Sequence, residues 1–223
     1  MKKLLLILLA ITTMFSLVAC GKKKEEPKTE EKKETINYLV LVNKQTKLPD
    51  NWEDIVELAD AKDAWGDDVK VEKEALKEFY ELQKELEEEG VYIELDSIYR
   101  SVAEQQDLWD RWSADPEKGP EYVKKYVAVP GYSEHHTGLA IDVCLKKNGE
   151  IIADNDDMIA EKVIFAKVHA KLADYGFILR YPKGKEDITG YSYEPWHFRY
   201  VGSKEIAKEI MDNDLTLEEY LKK

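Results

Sequence analysis

The sequence contains few cysteines and an excess of acidic over basic residues. Its only cysteines are Cys20 and Cys144, so a framework of several disulfides is excluded. Cys144 follows an apolar stretch, and we predict that it is a small buried residue without chemistry of its own. There are 46 Asp and Glu residues against 33 Lys and Arg residues, which gives a formal net charge of -13. Such a chain lacks the basic face that nucleic-acid binding needs, so nucleic acid is excluded as a partner.

The first nineteen residues have the pattern of a targeting segment. A short cationic start is followed by an almost unbroken apolar run, Leu4 to Val18. This run has the length of a signal-peptide core and is a little short for a membrane span of roughly 20 residues. The "LVAC" that follows, with Gly21 after it, resembles a bacterial lipoprotein cleavage box. The resemblance implies that residues 1–19 are a lipoprotein signal peptide and that Cys20 carries the lipid. The alternative is a retained single-pass anchor.

A charged segment separates the leader from the remainder of the chain. From Gly21 to Thr35 the sequence "GKKKEEPKTEEKKET" has no aromatic or aliphatic residue, so it cannot bury enough apolar area to become ordered. We therefore expect residues 20–35 to form a lipidated, disordered tether, about 20 Å from end to end. With a lipid on Cys20, the chain would be anchored at the extracytoplasmic face of the bacterial cell membrane.

Residues 36–223 have the length and patterning of one folded domain. A stretch of roughly 190 residues can bury one substantial core and is too short for two ordinary domains. The elements predicted in chain order are a strand-like start in "INYLVLVNKQTKLP", a helix in "VEKEALKEFYELQKELEEEG", a strand at 91–95, a helix capped by Ser101, a helix from Ile159 to Tyr175, strands in "FILRYP" and "PWHFRYV", and a last helix from Ser203. This order lacks the regular alternation of a parallel sheet. We expect an α+β fold, a single domain in which helices pack on a small antiparallel sheet.

The histidines occur in two kinds of setting. His169 lies inside a predicted helix, at its surface or boundary, whereas His135, His136 and His197 lie in loops or short strands beside acidic and small residues. In "HTGLAIDV" the alternation places Asp142 on the opposite side of a strand from its apolar neighbours. A carboxylate withdrawn from water there needs a cation or another partner. The spacing does not choose which of the two adjacent histidines would share that cation.

A second patch, "EPWHFRYVG", combines an acid and a histidine. Glu194 stands three residues before His197, as in the HExxH zinc peptidases, but Pro195 disfavours a helix and the first histidine is missing. We expect Glu194 to lie at a bend and His197 on a strand. One histidine of the first patch, Asp142 and His197 would leave a fourth position for water, the pattern of a catalytic zinc site, with Glu194 as base. The alternative is a hydrogen-bonded structural cluster.

Three stretches of the sequence resemble motifs of one enzyme family. "SEHHTGLAID" is similar to S-x-H-x-x-G-x-A-x-D, "EPWHFRYVG" to E-x-W-H-x-R-Y-V-G and "SIYRSVAEQ" to S-G-Y-R-S-x-x-x-Q of the VanY-type D-alanyl-D-alanine carboxypeptidases and their LD-carboxypeptidase relatives. The resemblance runs from about Leu41 to Gly202. It implies a hedgehog/DD-peptidase-like fold and a zinc carboxypeptidase that removes the C-terminal D-alanine of peptidoglycan stem peptides by metal-activated water.

The resemblance also implies a role for each residue of the metal site. In this family pattern His135, Asp142 and His197 bind Zn2+, and Glu194 is the general base. His135 holds the histidine position of the motif, two residues after its serine and three before its glycine. His136 falls at a variable position, so the resemblance chooses His135 as the ligand.

The implied substrate contacts come from three other residues. Arg100 would hold the substrate carbonyl or the oxyanion formed from it, and Gln105 and Ser133 would contact the peptide backbone or its terminal carboxylate. Ile98 stands where the family often has glycine, a departure that bears on the shape of the pocket. DD- and LD-enzymes share these motifs, so the motifs do not identify the bond that is cut.

Two other classes of protein fit a lipid-anchored chain. A wall-binding lipoprotein that keeps the pocket without catalysis would not need Glu194, which is present beside all three implied ligands. A lipoprotein that captures solutes for a transporter would usually need a longer, two-lobed chain. Both alternatives are therefore less favoured than the carboxypeptidase.

Overall fold

A computed structural model describes residues 35–116 and 119–223. The predicted signal peptide, the lipid on Cys20 and almost all of the predicted tether lie outside these residues. Over the described ranges, no helix combines the length and the apolar character that crossing a membrane requires.

The strands of the described residues form two antiparallel sheets. A two-stranded hairpin pairs β1 (Leu58–Lys62) with β2 (Asp68–Glu72). The larger sheet has the order β3-β4-β7-β6, with β5 paired to β4. Its strands are β3 (Ile93–Leu95), β4 (Ala140–Lys147), β5 (Glu150–Ile152), β6 (Phe177–Leu179) and β7 (His197–Tyr200). The antiparallel pairing throughout confirms the expected sheet type.

Helices pack around these sheets. Those described are α1 (Trp52–Ile55), α2 (Lys73–Glu88), α3 (Val102–Ser113), α4 (Gly119–Tyr126), α5 (Asn155–Ala160), α6 (Lys162–Leu172), α7 (Glu186–Thr189), α8 (Lys204–Asp212) and α9 (Leu217–Tyr220), with 3-10 turns at Glu134–Thr137 and Ala173–Tyr175. The main core joins α2 and α6 to the large sheet through side chains such as Phe79, Leu82, Phe165, Val168 and Phe198. The expected α+β class of fold is confirmed.

Local signals in the sequence account for the ends of several helices. Ser101 and Glu104 form the capping box that begins α3, as predicted. Helix α2 begins after Glu72, whose carboxylate accepts a hydrogen bond from the Ala75 N–H, and ends before Gly90 with its left-handed backbone. Its first predicted residue, Val71, instead belongs to β2.

Two expectations about elements were wrong and one element was missed. The strand predicted in "INYLVLVNKQTKLP" forms only an isolated bridge between Asn43 and Thr46, because the Arg199 side chain donates to the carbonyls of Tyr38 and Val40. The hairpin of β1 and β2 was not predicted. The helix expected from 159 to 175 is interrupted at Glu161, whose backbone leaves helical geometry between α5 and α6.

Gly138 fixes the start of β4. Its φ is +71°, and a Cβ there would lie 2.8 Å from a methyl carbon of Leu58. A side chain would therefore meet both backbone strain and a clash. This glycine lets the 3-10 turn at Glu134–Thr137 pass directly into β4, which brings two parts of the site close together.

Candidate metal centre and its pocket

Two strands and one turn bring together His135, Asp142 and His197, which we call the metal group. Asp142 on β4 lies directly opposite His197, the first residue of β7, in the antiparallel ladder. His135 comes from the 3-10 turn that precedes β4. One ligand atom from each of the three residues lies within 4.8 Å of the others. His136 is not part of this group.

In both imidazole rings of the metal group, one nitrogen faces Asp142. The other nitrogen forms a hydrogen bond that fixes the ring. Nε2 of His135 lies 3.3 Å from Oδ2 of Asp142, and Nδ1 of His197 lies 2.8 Å from Oδ1. On the far side, Nδ1 of His135 donates to the carbonyl of Ile98 at 2.7 Å. Nε2 of His197 donates to Glu134 at 3.1 Å. Metal-binding histidines are typically fixed in this way by a carbonyl or a carboxylate.

An unsatisfied oxygen shows that the metal group fits a cation. Oδ1 of Asp142 is buried, and no donor among the described residues meets it with good hydrogen-bond geometry, although Nδ1 of His197 lies 2.8 Å away. Burial raises the pKa of Asp142, but the two histidines outweigh burial and hold the pKa well below its usual range. A buried carboxylate with a free lone pair beside two imidazoles suits Zn2+.

The two histidines of the metal group differ in protonation. Burial lowers the pKa of His135, so its ring is neutral near pH 7. Burial also acts to lower the pKa of His197, but the carboxylates of Asp142 and Glu134 outweigh it and raise the pKa to about 10. His197 must therefore give up its Nδ1 proton in order to serve as a metal ligand.

His136 has a separate position and both of its ring nitrogens are used. Nδ1 donates to the carbonyl of Arg100 at 2.6 Å, and Nε2 accepts from the N–H of Gly131 at 3.0 Å. The ring thus links two loops at the edge of the pocket. The two adjacent histidines that the sequence left open are distinguished by geometry, since only His135 faces Asp142.

Glu194 lies at a turn beside the metal group, as its proline neighbour predicted. Its carboxylate is 3.8 Å from Nδ1 of His197. Burial raises the pKa of Glu194 to about 7, the Asp142 carboxylate adds to the rise, and His197 opposes it. The turn is held from behind by His169, whose Nε2 donates to the Pro195 carbonyl at 2.8 Å. His169 is thus a boundary residue rather than a surface one.

Arg100 is fixed at the pocket wall by two neighbours. One guanidinium nitrogen donates to Oε1 of Gln105 at 2.6 Å, and the other donates to the hydroxyl of Ser97 at 2.6 Å. Gln105 is 1 % exposed and its amide nitrogen donates to the carbonyl of Ala128. Both ends of the Gln105 amide are therefore engaged within the protein, and its clearest role is to hold Arg100.

The pocket in front of the metal group has a volume of about 350 Å³ and is lined by every residue predicted to bind zinc, catalyse the reaction or contact the substrate. Ser133 lies in its wall, whereas Ile98 is absent from it, because the Ile98 side chain is packed in the core. A neighbouring cavity of about 560 Å³ shares four of the lining residues. The shared residues are Trp112, Asn155, Glu194 and Trp196.

Sequence reasoning missed several residues of the pocket wall. The Tyr181 ring lies 4.7 Å from the His197 ring, and the Tyr191 ring lies 4.6 Å from that of Tyr181. Asp96 also lines the pocket, and burial, followed by Asp142, raises its pKa to about 6. Tyr181 lies in the predicted strand "FILRYP". This position shortly before the "EPWHFRYVG" motif was the available signal that it lines the pocket.

Behind the metal group lies a second set of polar residues, which we call the ion network: Asn43, Glu134, Arg180, Arg199 and Glu218. Both arginine side chains are 0 % exposed. Glu134 accepts from Arg180 at 2.8 Å and from Arg199 at 2.5 Å. Glu218 accepts from two nitrogens of Arg180. Only Arg199 and Glu134 belong to the motif stretches.

Comparison with known proteins identifies related sequences. Residues 68–203 match a family model described as VanY: D-alanyl-D-alanine carboxypeptidase. The chain is 41 % identical over 192 residues to the bifunctional D-Ala-D-Ala dipeptidase and D-Ala-D-Ala carboxypeptidase VanXYC of Enterococcus gallinarum, with 83 % of this chain and 94 % of that protein covered.

Two solved structures show the same fold. The LdcB LD-carboxypeptidase has a TM-score of 0.72 and 40 % identity, with 85 % of this chain and 90 % of that chain covered. The D,D-pentapeptidase VanY from a VanB-type vancomycin resistance cassette, solved as a variant in complex with Zn(II), has a TM-score of 0.67 and 33 % identity. That comparison covers 82 % of this chain and 98 % of the other.

Proposed function

The chain belongs to the VanY family of D-alanyl-D-alanine carboxypeptidases, and we propose that it is a zinc-dependent enzyme that hydrolyses the C-terminal D-alanine from peptidoglycan stem peptides. The observation that carries the proposal is the Glu194 carboxylate 3.8 Å from a ligand nitrogen of the metal group. A protein that only bound the peptide would have no use for a buried carboxylate at this place.

Zinc is the cofactor of the proposal. His135, Asp142 and His197 would hold the ion and leave a fourth position open, and the Zn(II) complex of a family member supports this choice of metal. When bound, zinc supplies a Lewis acid that polarises a carbonyl and makes water more acidic. The remaining chemistry belongs to side chains of the pocket.

Glu194 carries out the proton transfers. As a carboxylate it accepts a proton from the attacking water while the water oxygen bonds to the carbonyl carbon of the scissile amide. It then delivers that proton to the amide nitrogen as the carbon–nitrogen bond breaks, and D-alanine leaves with a neutral amine. Burial raises the pKa of Glu194 to about 7 before a metal is bound, and a cation in the site would lower it, so that the group is a carboxylate ready to accept the proton near neutral pH.

Arg100 stabilises the negative charge that develops on the carbonyl oxygen. Its guanidinium is already fixed by Gln105 and Ser97, so little reorganisation is needed during the reaction. Removal of one such donor typically costs about 10²–10³ in kcat. We assign Ser133, in the same wall, to the terminal carboxylate of the peptide and Gln105 to support of Arg100. The neighbouring cavity that shares Trp112 would receive the rest of the stem peptide.

The test is the release of D-alanine by purified, zinc-loaded protein. A stem pentapeptide and a stem tetrapeptide are incubated separately, and the products are identified by mass spectrometry. Release from the pentapeptide marks a DD-carboxypeptidase, and release from the tetrapeptide marks an LD-carboxypeptidase. A chelator should stop either reaction. If a zinc-loaded protein released D-alanine from neither peptide, the protein would be a binding protein and not the proposed enzyme.

We also propose that the enzyme is lipid-anchored at the extracytoplasmic face of the bacterial membrane through Cys20. The leader pattern, the "LVAC" box and the charged segment after it support this location. In cells, Cys20→Ala should prevent incorporation of a labelled fatty acid and move the protein out of the membrane fraction. Unchanged fractionation and labelling would exclude the anchor without bearing on the chemistry of the pocket.

A further inference from the structure

A continuous line of contacts joins the last helix to a residue of the metal group. Glu218 on α9 accepts from two nitrogens of Arg180, at 2.7 and 2.9 Å. Nε of Arg180 donates to Oε1 of Glu134 at 2.8 Å. The other oxygen of Glu134 accepts from Nε2 of His197 at 3.1 Å. Every side chain along this line is buried.

The charges of the ion network balance. Arg180 and Arg199 provide two positive charges, and Glu134 and Glu218 provide two negative ones. Asn43 adds no charge, but its amide nitrogen donates to Glu218 at 3.1 Å. Because the network is withdrawn from water, the loss of one charge leaves an uncompensated charge that solvent does not screen.

We propose that Glu218 and Asn43 are positioning residues for the metal ligand His197. By holding Arg180, they leave Glu134 free to accept from His197, and this hydrogen bond directs the opposite ring nitrogen toward Asp142. Both residues lie outside the part of the chain, 68–203, that matches the family model. Residues on both sides of the matched part of the chain thus help to position a ligand of the metal site. The inference rests on the zinc site of the proposed function and does not depend on the peptide that is cleaved.

The electrostatics of the network give the direction of the effect. Without the charge of Glu218, two arginines share the single carboxylate of Glu134, which weakens that carboxylate as an acceptor for His197. The surplus positive charge also opposes a divalent cation nearby. Changes in the partners of metal ligands typically reduce metal affinity 10- to 100-fold. Glu218 acts through two intermediates, so we expect a loss at the lower end, about tenfold.

The experiment measures the zinc affinity of the full chain by competition with a chromophoric chelator, without any peptide substrate. Glu218→Gln keeps the shape of the side chain and should weaken zinc binding about tenfold. Glu209→Gln is the matched surface control, since the ion pair that Glu209 makes among the described residues is with the exposed Lys223. Leu86→Ala, in the core on α2, is the stability control. Both controls should bind zinc like the wild type.

A charge swap separates the charge of the network from its shape. Oδ1 of Asn43 accepts from the backbone N–H groups of Gln45 and Thr46, and Nδ2 donates to Glu218. In the double variant Asn43→Asp/Glu218→Gln, the aspartate would keep both backbone contacts and accept from the new amide. The network regains its balance, so zinc affinity should recover most of what Glu218→Gln loses.

The outcomes distinguish the inference from a structural role. It is overturned if Glu218→Gln binds zinc as tightly as the wild type, or if Leu86→Ala, at an equal loss of melting temperature, weakens zinc equally. Should Glu218→Gln not fold, Glu218→Asp keeps the charge but shortens the reach to Arg180, and it should weaken zinc in the same direction. A chain that shows these zinc affinities and cleaves no peptide contradicts the proposed function alone.

Discussion

The metal group and the ion network are both built from buried ionisable side chains, and His197 contacts both. In the ion network each carboxylate meets an arginine, and the hydrogen bonds close among the members and nearby backbone carbonyls. In the metal group one oxygen of Asp142 has no well-oriented donor among the described residues. The difference separates two roles: a satisfied cluster holds its members and their neighbour His197 in place, whereas unused bonding capacity marks the place where a ligand binds.

The largest expected effect comes from removing a member of the metal group. His135→Ala should abolish zinc binding, because it leaves two ligands where three are needed. His136→Ala is the matched variant and should retain the metal, since the His136 ring hydrogen-bonds to the backbone of Arg100 and Gly131 and supplies no atom to the metal group. Equilibrium dialysis with zinc measures both. If the two results were reversed, the assignment of His135 would be wrong even though the family is right.

The next effect concerns a group that lies beside the metal group without belonging to it. Glu194→Gln should leave zinc binding intact and lower kcat by about 10²–10⁴, because the amide cannot accept the proton of water. Metal content and kcat are measured on the same preparation. If the variant lost zinc along with activity, Glu194 would be a metal ligand. The distinction between the metal ligands and the general base would then be wrong.

On the side of the ion network, the expected loss is in stability. Arg180→Met should leave Glu134 and Glu218 short of a cation and reduce the free energy of unfolding by about 3–5 kcal/mol. Arg100→Met, at the pocket wall, should instead lower kcat with a much smaller loss of stability. Urea unfolding and steady-state kinetics on both variants give the two readouts. Equal stability losses would show that the pocket and the network are not distinct.

The most gradual effect is a pH dependence that arises because His197 contacts both regions. Asp142 and Glu134 raise its pKa to about 10 against the opposing effect of burial, so His197 holds an additional proton at neutral pH when no metal is present. Zinc binding must release that proton, and affinity should therefore rise with pH across the neutral range, by at most about tenfold per pH unit. Calorimetry in buffers of different ionisation enthalpy counts the protons. Release of none would show that His197 is already neutral.

The features that could be predicted from the sequence are those that depend on residues close together in the chain. The capping box at Ser101 and the bend before Pro195 each depend on residues close together in the chain, and both are present in the structure. The hairpin of β1 and β2 was missed because its strands are short, half-exposed and rich in charge, which masks the alternation of a strand.

The ion network could not be predicted for a different reason. Arg180 and Glu218 are 38 residues apart, and Arg199 and Glu134 are 65 apart, so no local pattern links them. A charged residue in a sequence is most often exposed, and only the fold shows that these four are enclosed. The members of the metal group were predicted because the resemblance to family motifs indicated that distant residues share one site. Local spacing alone does not give that information.

The pairing of Asp142 with His197 across β4 and β7 restricts which insertions and deletions the chain can accept. One residue added or removed near the start of either strand would turn one of the two side chains to the other face of the sheet. A change of two residues would restore the face but displace the side chain by about 6.6 Å. That displacement exceeds the 4.8 Å within which the ligand atoms lie. Length variants selected or engineered in this chain should therefore be confined to the loops, and the spacing from Gly138 to Asp142 should remain fixed.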